Sequence, residues 1–327
     1  MSDRTARWLA WGLLALAIAC IPIGIVIVAT TGTHVGQAII ITPLACLTFS
    51  TVGALVAAGA LRNAVGWLLL ACGLVMGLSI VTSALHSWDT ATAGTFAGAS
   101  FVALLDGLAW LIPLGFLLPR VMLLFPDGRL PSPRWRFVGW AQYGILAGVL
   151  AFALRPGPIQ DYEQYENPIG IGALAFMRRL PSAFSAVLGV VFVCLMLSAV
   201  LSVIVRFRRS RGVERLQMKW VAWGVGSTAA LWIADPLARS LLHTDVVGPL
   251  PLLALVLAPV TIGVAVLRYR LYEIDRVISR TLVYGVLTVI LGAAYAGLVL
   301  GGQAVFSSFA GGSNLAIAVS KIGRAHV

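Results

Sequence analysis

Charge is scarce in this sequence. Asp, Glu, Lys and Arg make up 11% of its 327 residues, against about 25% in an ordinary soluble domain. With 60% hydrophobic residues and a mean hydropathy of +0.96, a soluble globular protein is excluded and an integral membrane protein is expected. Acidic residues are rarer than basic ones, 12 against 23. The resulting net charge of +11 does not point to nucleic acid, because the basic residues follow the segments between apolar runs. Cysteine is limited to Cys20, Cys46, Cys72 and Cys194, all within apolar runs, with no CxxC and no neighbouring histidine. They read as small buried hydrophobes, not as a disulfide or metal set. Walker-type, GxGxxG, HExxH and GxSxG motifs are missing, so no catalytic, cofactor-binding or metal-binding residue is assigned in this chain.

What the sequence does hold is long apolar runs. Nine have spanning length: 8–31, 39–61, 65–85, 97–118, 137–154, 183–205, 220–242, 248–267 and 282–306, with about 17–25 residues sufficing to cross a bilayer. The beginning of a tenth is at Leu315. Continuous runs predict helices and not a barrel, since a helix satisfies its own backbone in lipid. The fold class expected is all-α, a polytopic transmembrane bundle. The first run follows Arg4 and Arg7 and exceeds the roughly 7–15 residues of a signal-peptide core, so it reads as an uncleaved span.

Basic residues orient the bundle. With the amino terminus cytoplasmic, the inner segments hold Arg4, Arg7, Arg62, Arg120, Arg129, Arg134, Arg136, Arg206, Arg208, Arg209, Arg211, Arg215, Lys219, Arg268, Arg270, Arg276 and Arg280. The outer segments hold Arg155, Arg178, Arg179 and Arg239. Seventeen against four is a strong positive-inside signal. Trp8, Trp11, Trp67, Trp135, Trp140, Trp220 and Trp223 cluster at the same inner face, as an aromatic belt does.

Most outer loops are short. The exception, 155–181, is acidic in its middle (Asp161, Glu163, Glu166), with Tyr162 and Tyr165 between the acids. It is too short to be a sensor domain of its own, and is more often simply solvated than a binder of cations or basic peptides. Inner segment 119–136 contains the turn Pro126-Asp127-Gly128 and then Pro131 and Pro133, which predicts a stiff basic hairpin. Inner segment 206–219 is basic and suited to anionic lipid headgroups, although charge that only sets topology is the favoured reading.

Two acids fall within spans. Asp106 is near the middle of run 97–118, where a charge is costly unless paired or facing water. It is a candidate for an interhelical hydrogen bond or for a ligand or proton path. Asp235 precedes Pro236 and has Arg239 four residues on, an i,i+4 pair read as mainly structural. The most charged stretch near the carboxy terminus, RYRLYEIDRVISRTLVYG at 268–285, sets Arg268, Arg270, Arg276 and Arg280 against Glu273 and Asp275. It belongs on a membrane surface. Its apolar residues Leu271, Ile274, Val277 and Ile278 recur at helical spacing, which suits a short interfacial helix, although the residues alone favour an ordinary basic cytoplasmic loop.

Three of these stretches, LLFPDGRLPSPRWR at 123–136, RGVERLQMKW at 211–220 and 268–285, resemble the membrane region of a family of actinobacterial sensor histidine kinases. The resemblance covers about 62–320. Residues 63–67, NAVGW, are similar to the family's NPxGW turn, with Ala64 in place of its proline. The resemblance implies a multi-span input region for a two-component system. A cytoplasmic kinase part would follow, with a phosphoacceptor histidine, ATP and Mg, and a response regulator as its partner. None of those kinase motifs occurs in this chain, so an enzymatic activity is expected only of the complete parent protein. On this reading the partners are the lipid bilayer, anionic headgroups at the inner face and a second copy in a homodimer. The location is the cell membrane, and Arg268, Arg270, Glu273, Asp275, Arg276 and Arg280 form a coupling segment. A transporter or channel using Asp106, or a non-catalytic membrane partner protein, is the alternative. Residues 322–327, IGRAHV, match the translation of a common short-read sequencing adapter. Segment 321–327 is therefore expected to be a read-through tail on a truncated gene, after a domain at 1–320, and His326 is given no role.

Overall fold

The computed structural model describes residues 3–31, 38–92, 94, 96–159, 162–179, 182–242 and 250–270. At 31, 38–40, 179, 182–189, 229–230, 232–242, 250–255 and 267–270 it describes the backbone alone. The chain is mostly helical: α1 (Asp3–Thr31), α2 (Ala38–Gly59), α3 (Ala64–Ala91), α4 (Ala99–Ile112), α5 (Leu118–Leu124), α6 (Arg136–Ala153), α7 (Ser182–Arg209), α8 (Gly212–Leu242) and α9 (Leu250–Arg270). Among the described residues, six helical stretches are long and apolar enough to cross a membrane: Asp3–Thr30, Ile41–Gly59, Ala64–Ala91, Ala99–Leu124, Pro133–Ala153 and Val190–Arg209. They mark a membrane protein and fall on the first six expected spans. Helices α8 and α9 cover the seventh and eighth expected runs. The ninth run, the start of the tenth and the tail at 321–327 lie outside the described residues.

Several helices overrun the apolar limits. Hydropathy marks where side chains meet hydrocarbon, whereas a helix keeps its own hydrogen bonds beyond that edge and lets long basic side chains reach outward. Expected span 65–85 is therefore Ala64–Ala91, and 183–205 runs on to Arg209. The expected inner loop 206–219 is corrected: it is the last turn of α7, a break at Ser210–Arg211 and the first turns of α8, which starts at Gly212 with φ +56°. Segment 119–136 is corrected at its start. The helix of α4 continues past Pro119 to Leu124 through one π-helical turn, Pro113–Leu117, in which the Leu118 N–H donates to the Pro113 carbonyl. A widened turn of this kind is a usual way to carry a helix past a proline. Arg120 is thus helical, donating to the Gly139 carbonyl at 3.2 Å and lying 4.7 Å from the Tyr143 ring centroid.

The all-α expectation needs one amendment. The segment 155–181, expected as an outer loop, contains a small antiparallel hairpin, β1 (Pro158–Ile159) and β2 (Tyr162–Glu166), followed by a 3-10 helix, Gly172–Arg179. Pro158 pairs with Glu166 and Ile159 with Tyr162, with an irregularity between Pro158 and Ile159. Ile159 is buried with Ala103 and Leu104 of α4, and Tyr162 and Tyr165 pack on that cluster.

The centre of the bundle is the α2–α3 pair. Its close approach comes from glycine: a Cβ on Gly66 would lie 2.4 Å from the Ala57 nitrogen, and one on Gly73 would lie 2.4 Å from the Ser50 nitrogen. Small residues bring helix backbones together where lipid offers no hydrophobic drive for association. Phe49, Val56, Val65, Leu69 and Cys72 fill the seam. Cysteine burial is uneven: Cys46 and Cys72 are buried, Cys20 is partly so and Cys194 is exposed on α7, and all four are free thiols. Gly73→Ala is expected to lower the stability of the detergent-solubilised protein by about 1–3 kcal/mol through overpacking. Gly148→Ala, with open space around it, is expected to be neutral or to stabilise by up to ~1 kcal/mol. Thermal unfolding midpoints of the two variants check this.

Candidate functional site

Two buried carboxylates mark one end of the bundle. Asp106 lies seven residues into α4, about 10 Å along its axis at ~1.5 Å per residue, and is 5% exposed. Its Oδ1 accepts from Thr82 Oγ1 at 2.5 Å and Ser83 Oγ at 2.8 Å, both on α3. Its Oδ2 accepts from Tyr162 OH at 2.5 Å, so the hairpin reaches into the bundle. Because α4 extends to Leu124 as one path with α5, Asp106 is nearer the hairpin end than the midpoint expected from run 97–118.

Asp89 is the second. It lies near the carboxy end of α3 with no exposed surface. Its Oδ1 accepts from the Phe96 N–H at 2.9 Å, tying down the α3–α4 connection, and its Oδ2 accepts from Tyr165 OH at 2.7 Å. His86 stands edge-on to both tyrosines, 4.7 Å from the Tyr162 ring centroid and 5.8 Å from that of Tyr165. The hairpin is therefore fastened by two phenols, one to α4 and one to α3. A hydrogen bond contributes on the order of 1 kcal/mol net, enough for two to hold a short loop and small enough to exchange.

Beside this latch is a cavity of about 120 Å³ between α1, α2, α3 and α4. Thr42, Ser79, Ser83 and Ser87 are among its lining residues, together with Ile25 and Trp110. Ser83 belongs to both, lining the cavity and bonding Asp106.

The opposite end of α3 is also fastened. Asn63 caps α3, its Oδ1 accepting from the Val65 N–H at 3.0 Å, while its Nδ2 donates to the Pro126 carbonyl at 2.8 Å. Gly128, with φ +77°, packs directly on Asn63. Arg206 of α7 forms an ion pair with Asp127 at 3.1 Å and donates to the carbonyls of Leu123 and Arg129. Three sequence stretches singled out separately, 63–67, 123–136 and the start of 206–219, thus meet. Arg206 is buried, whereas Arg208, Arg209, Arg211, Arg215 and Lys219 are exposed. The lipid-facing expectation for this segment is therefore corrected at Arg206, which serves the turn.

Asp235 and Arg239 lie on α8, which continues as helix past 236, but their side chains lie outside the described residues. Arg268 and Arg270 end α9, again with backbone alone described. Glu273, Asp275, Arg276 and Arg280 lie outside the described residues. Sequence reasoning found Asp106 and missed Asp89, because the apolar run was ended at 85, before the helix ends. The pair Tyr162 and Tyr165, three residues apart in an otherwise acidic loop, was the signal that could have led to both acids.

No protein family model, curated protein or solved structure matches the chain. The site is thus characterised by its own geometry: a membrane protein with two buried carboxylates latched by a surface hairpin.

The hydrogen bond to Asp89 raises the Tyr165 phenol above its usual range, with burial and the Asp89 charge adding to it. Because the folded value is raised, the stability it contributes is full below the ordinary phenol value of about 10 and is lost as pH rises through the folded value. Phenolate absorbance should therefore show one tyrosine ionising late, and Tyr165→Phe should remove that late component.

Proposed function

We propose that this chain is the membrane input region of a two-component sensor histidine kinase, with the hairpin as the part that receives the stimulus. In this reading it is a multi-pass protein of the cell membrane with nine complete spans and a cytoplasmic amino terminus. The hairpin lies outside, and the Arg206 turn faces the cytoplasm beside anionic headgroups. The protein works as a homodimer. The kinase part that would bind ATP and Mg and address a response regulator lies beyond the motifs present in this sequence. Residues Arg268, Arg270, Glu273, Asp275, Arg276 and Arg280 are its coupling segment.

One observation carries the reading: a surface hairpin is fastened to buried carboxylates on α3 and α4 by exchangeable phenol hydrogen bonds. A stimulus that competes for Tyr162 or Tyr165, or that prefers the released hairpin, shifts the balance between latched and unlatched states. Signalling requires that difference in affinity between two states. Helix α3 then offers a path, since Asp89 is near one end and Asn63 caps the other. At 28 residues it spans about 42 Å.

The cavity beside Asp106 favours a second reading, a transporter or channel in which Ser83 and Asp106 contact the solute. The two separate cleanly. Tyr162→Phe in the complete protein is expected to change the output of a transcriptional reporter, at unchanged protein level, with no solute flux in proteoliposomes. Unchanged output together with flux that Asp106→Asn abolishes would replace the sensor reading with the transporter.

A further inference from the structure

The hairpin end carries a second cluster that the carboxylate latch does not use. Helix α6 ends at Ala153, and Asn167 takes its last carbonyls, Nδ2 donating to Ala153 O at 2.7 Å and to Arg155 O at 2.8 Å. The Ile171 N–H donates to Leu154 O at 2.9 Å, and the Asn167 N–H to Gly157 O at 3.0 Å. The chain is thus folded back on the helix end. Gly157, at φ +107°, lies so close to Arg178 that a Cβ there would be 2.5 Å from Nη1. This fold-back sets Arg178 of the 3-10 helix against Gly157, two residues from Arg155, whose guanidinium lies 3.8 Å from the Phe152 ring centroid.

The fold-back thus sets two basic side chains on one short stretch of surface. Burial lowers the Arg155 value first, and the Arg178 charge lowers it further. Among the described residues, neither arginine makes an ion pair with a carboxylate, and Glu163 and Glu166 are exposed on the hairpin without reaching them. The same segment exposes large apolar side chains: Ile169, Ile171 and Phe176 are 47%, 46% and 58% exposed. Exposed aliphatic and aromatic side chains beside basic residues, at the end of an apolar helix, are the composition of a membrane interface. A guanidinium pair there suits phosphate oxygens, which its planar fork engages in two parallel hydrogen bonds.

We propose that Arg155 and Arg178, with Ile169, Ile171 and Phe176 around them, form a docking site for the phosphate headgroup of an anionic phospholipid at the hairpin end of the bundle. The guanidiniums hold the phosphate, and the three apolar side chains enter the acyl region beside it. The lipid's negative charge offsets part of that of the two arginines and anchors the loop that carries Tyr162 and Tyr165. This proposal does not depend on the sensor reading.

Hydrogen–deuterium exchange of the full chain in nanodiscs tests it locally. Segment 155–179 is expected to exchange more slowly in phosphatidylcholine with phosphatidylglycerol than in phosphatidylcholine alone. The limit is about 30-fold, the factor supplied by two arginines at ~1 kcal/mol each near an anionic surface. Arg155→Gln with Arg178→Gln should remove the difference, and Arg155→Lys with Arg178→Lys, which keeps the charge without the planar fork, should keep only part of it. Equal exchange of the unaltered chain in the two lipids would overturn the proposal. So would a difference that survives in the double glutamine variant, or equal protection by inorganic phosphate in phosphatidylcholine alone, which would make the site one for a free anion.

Discussion

A carboxylate placed away from water must find its hydrogen-bond donors inside the protein, and this constraint organises one end of the molecule. Asp106 finds donors on α3 and on the hairpin, and Asp89 finds them in the α3–α4 connection and on the hairpin. Neither acid has a cationic partner among the described residues. The hairpin is consequently part of the bundle's own polar satisfaction. Removing its phenols would leave buried acceptors short of partners, at a cost of about 1–3 kcal/mol per buried group.

The same constraint acts at the other end through the backbone. The turn after α5 exposes carbonyls of Leu123, Pro126 and Arg129, and Arg206 and Asn63 take them. Asp127 is half exposed, so its ion pair with Arg206 contributes little by itself. The buried guanidinium matters chiefly as a donor to main chain. Between the two ends, α3 is pressed against α2 at Gly66 and Gly73. A helix packed that tightly along its length, with a side-chain tether near each end, moves as a unit or not at all. The proposed input mechanism draws on that stiffness.

Much of the fold was legible in the sequence, because lipid imposes a simple rule on composition. Apolar runs located the helices, though not their ends: α7 passes through Arg206 to Arg209, and α4 passes Pro119 by a π turn. Asp106 was legible as a buried acid. Its partners were not, since Thr82 lies 24 residues away and Tyr162 lies 56, and no local spacing records such pairs. Arg206 read as one more topology-setting charge because its partner, Asp127, is 79 residues distant. The hairpin escaped notice because its strands are two and five residues long, below the length at which alternation is informative. Asp89 was lost to a span limit drawn at 85, where hydropathy falls and the helix does not end.

The central claim is that Tyr162 and Asp106 are directly coupled, and a double-mutant cycle on the purified full chain measures that coupling. Unfolding free energies would be compared for the unaltered chain, Tyr162→Phe, Asp106→Asn and the double variant. The account predicts non-additivity of about 1–2 kcal/mol, as expected for two groups sharing a hydrogen bond. Additive effects, within the roughly 0.3–0.5 kcal/mol typical of independent sites, would contradict the latch and with it the route from the hairpin into the bundle.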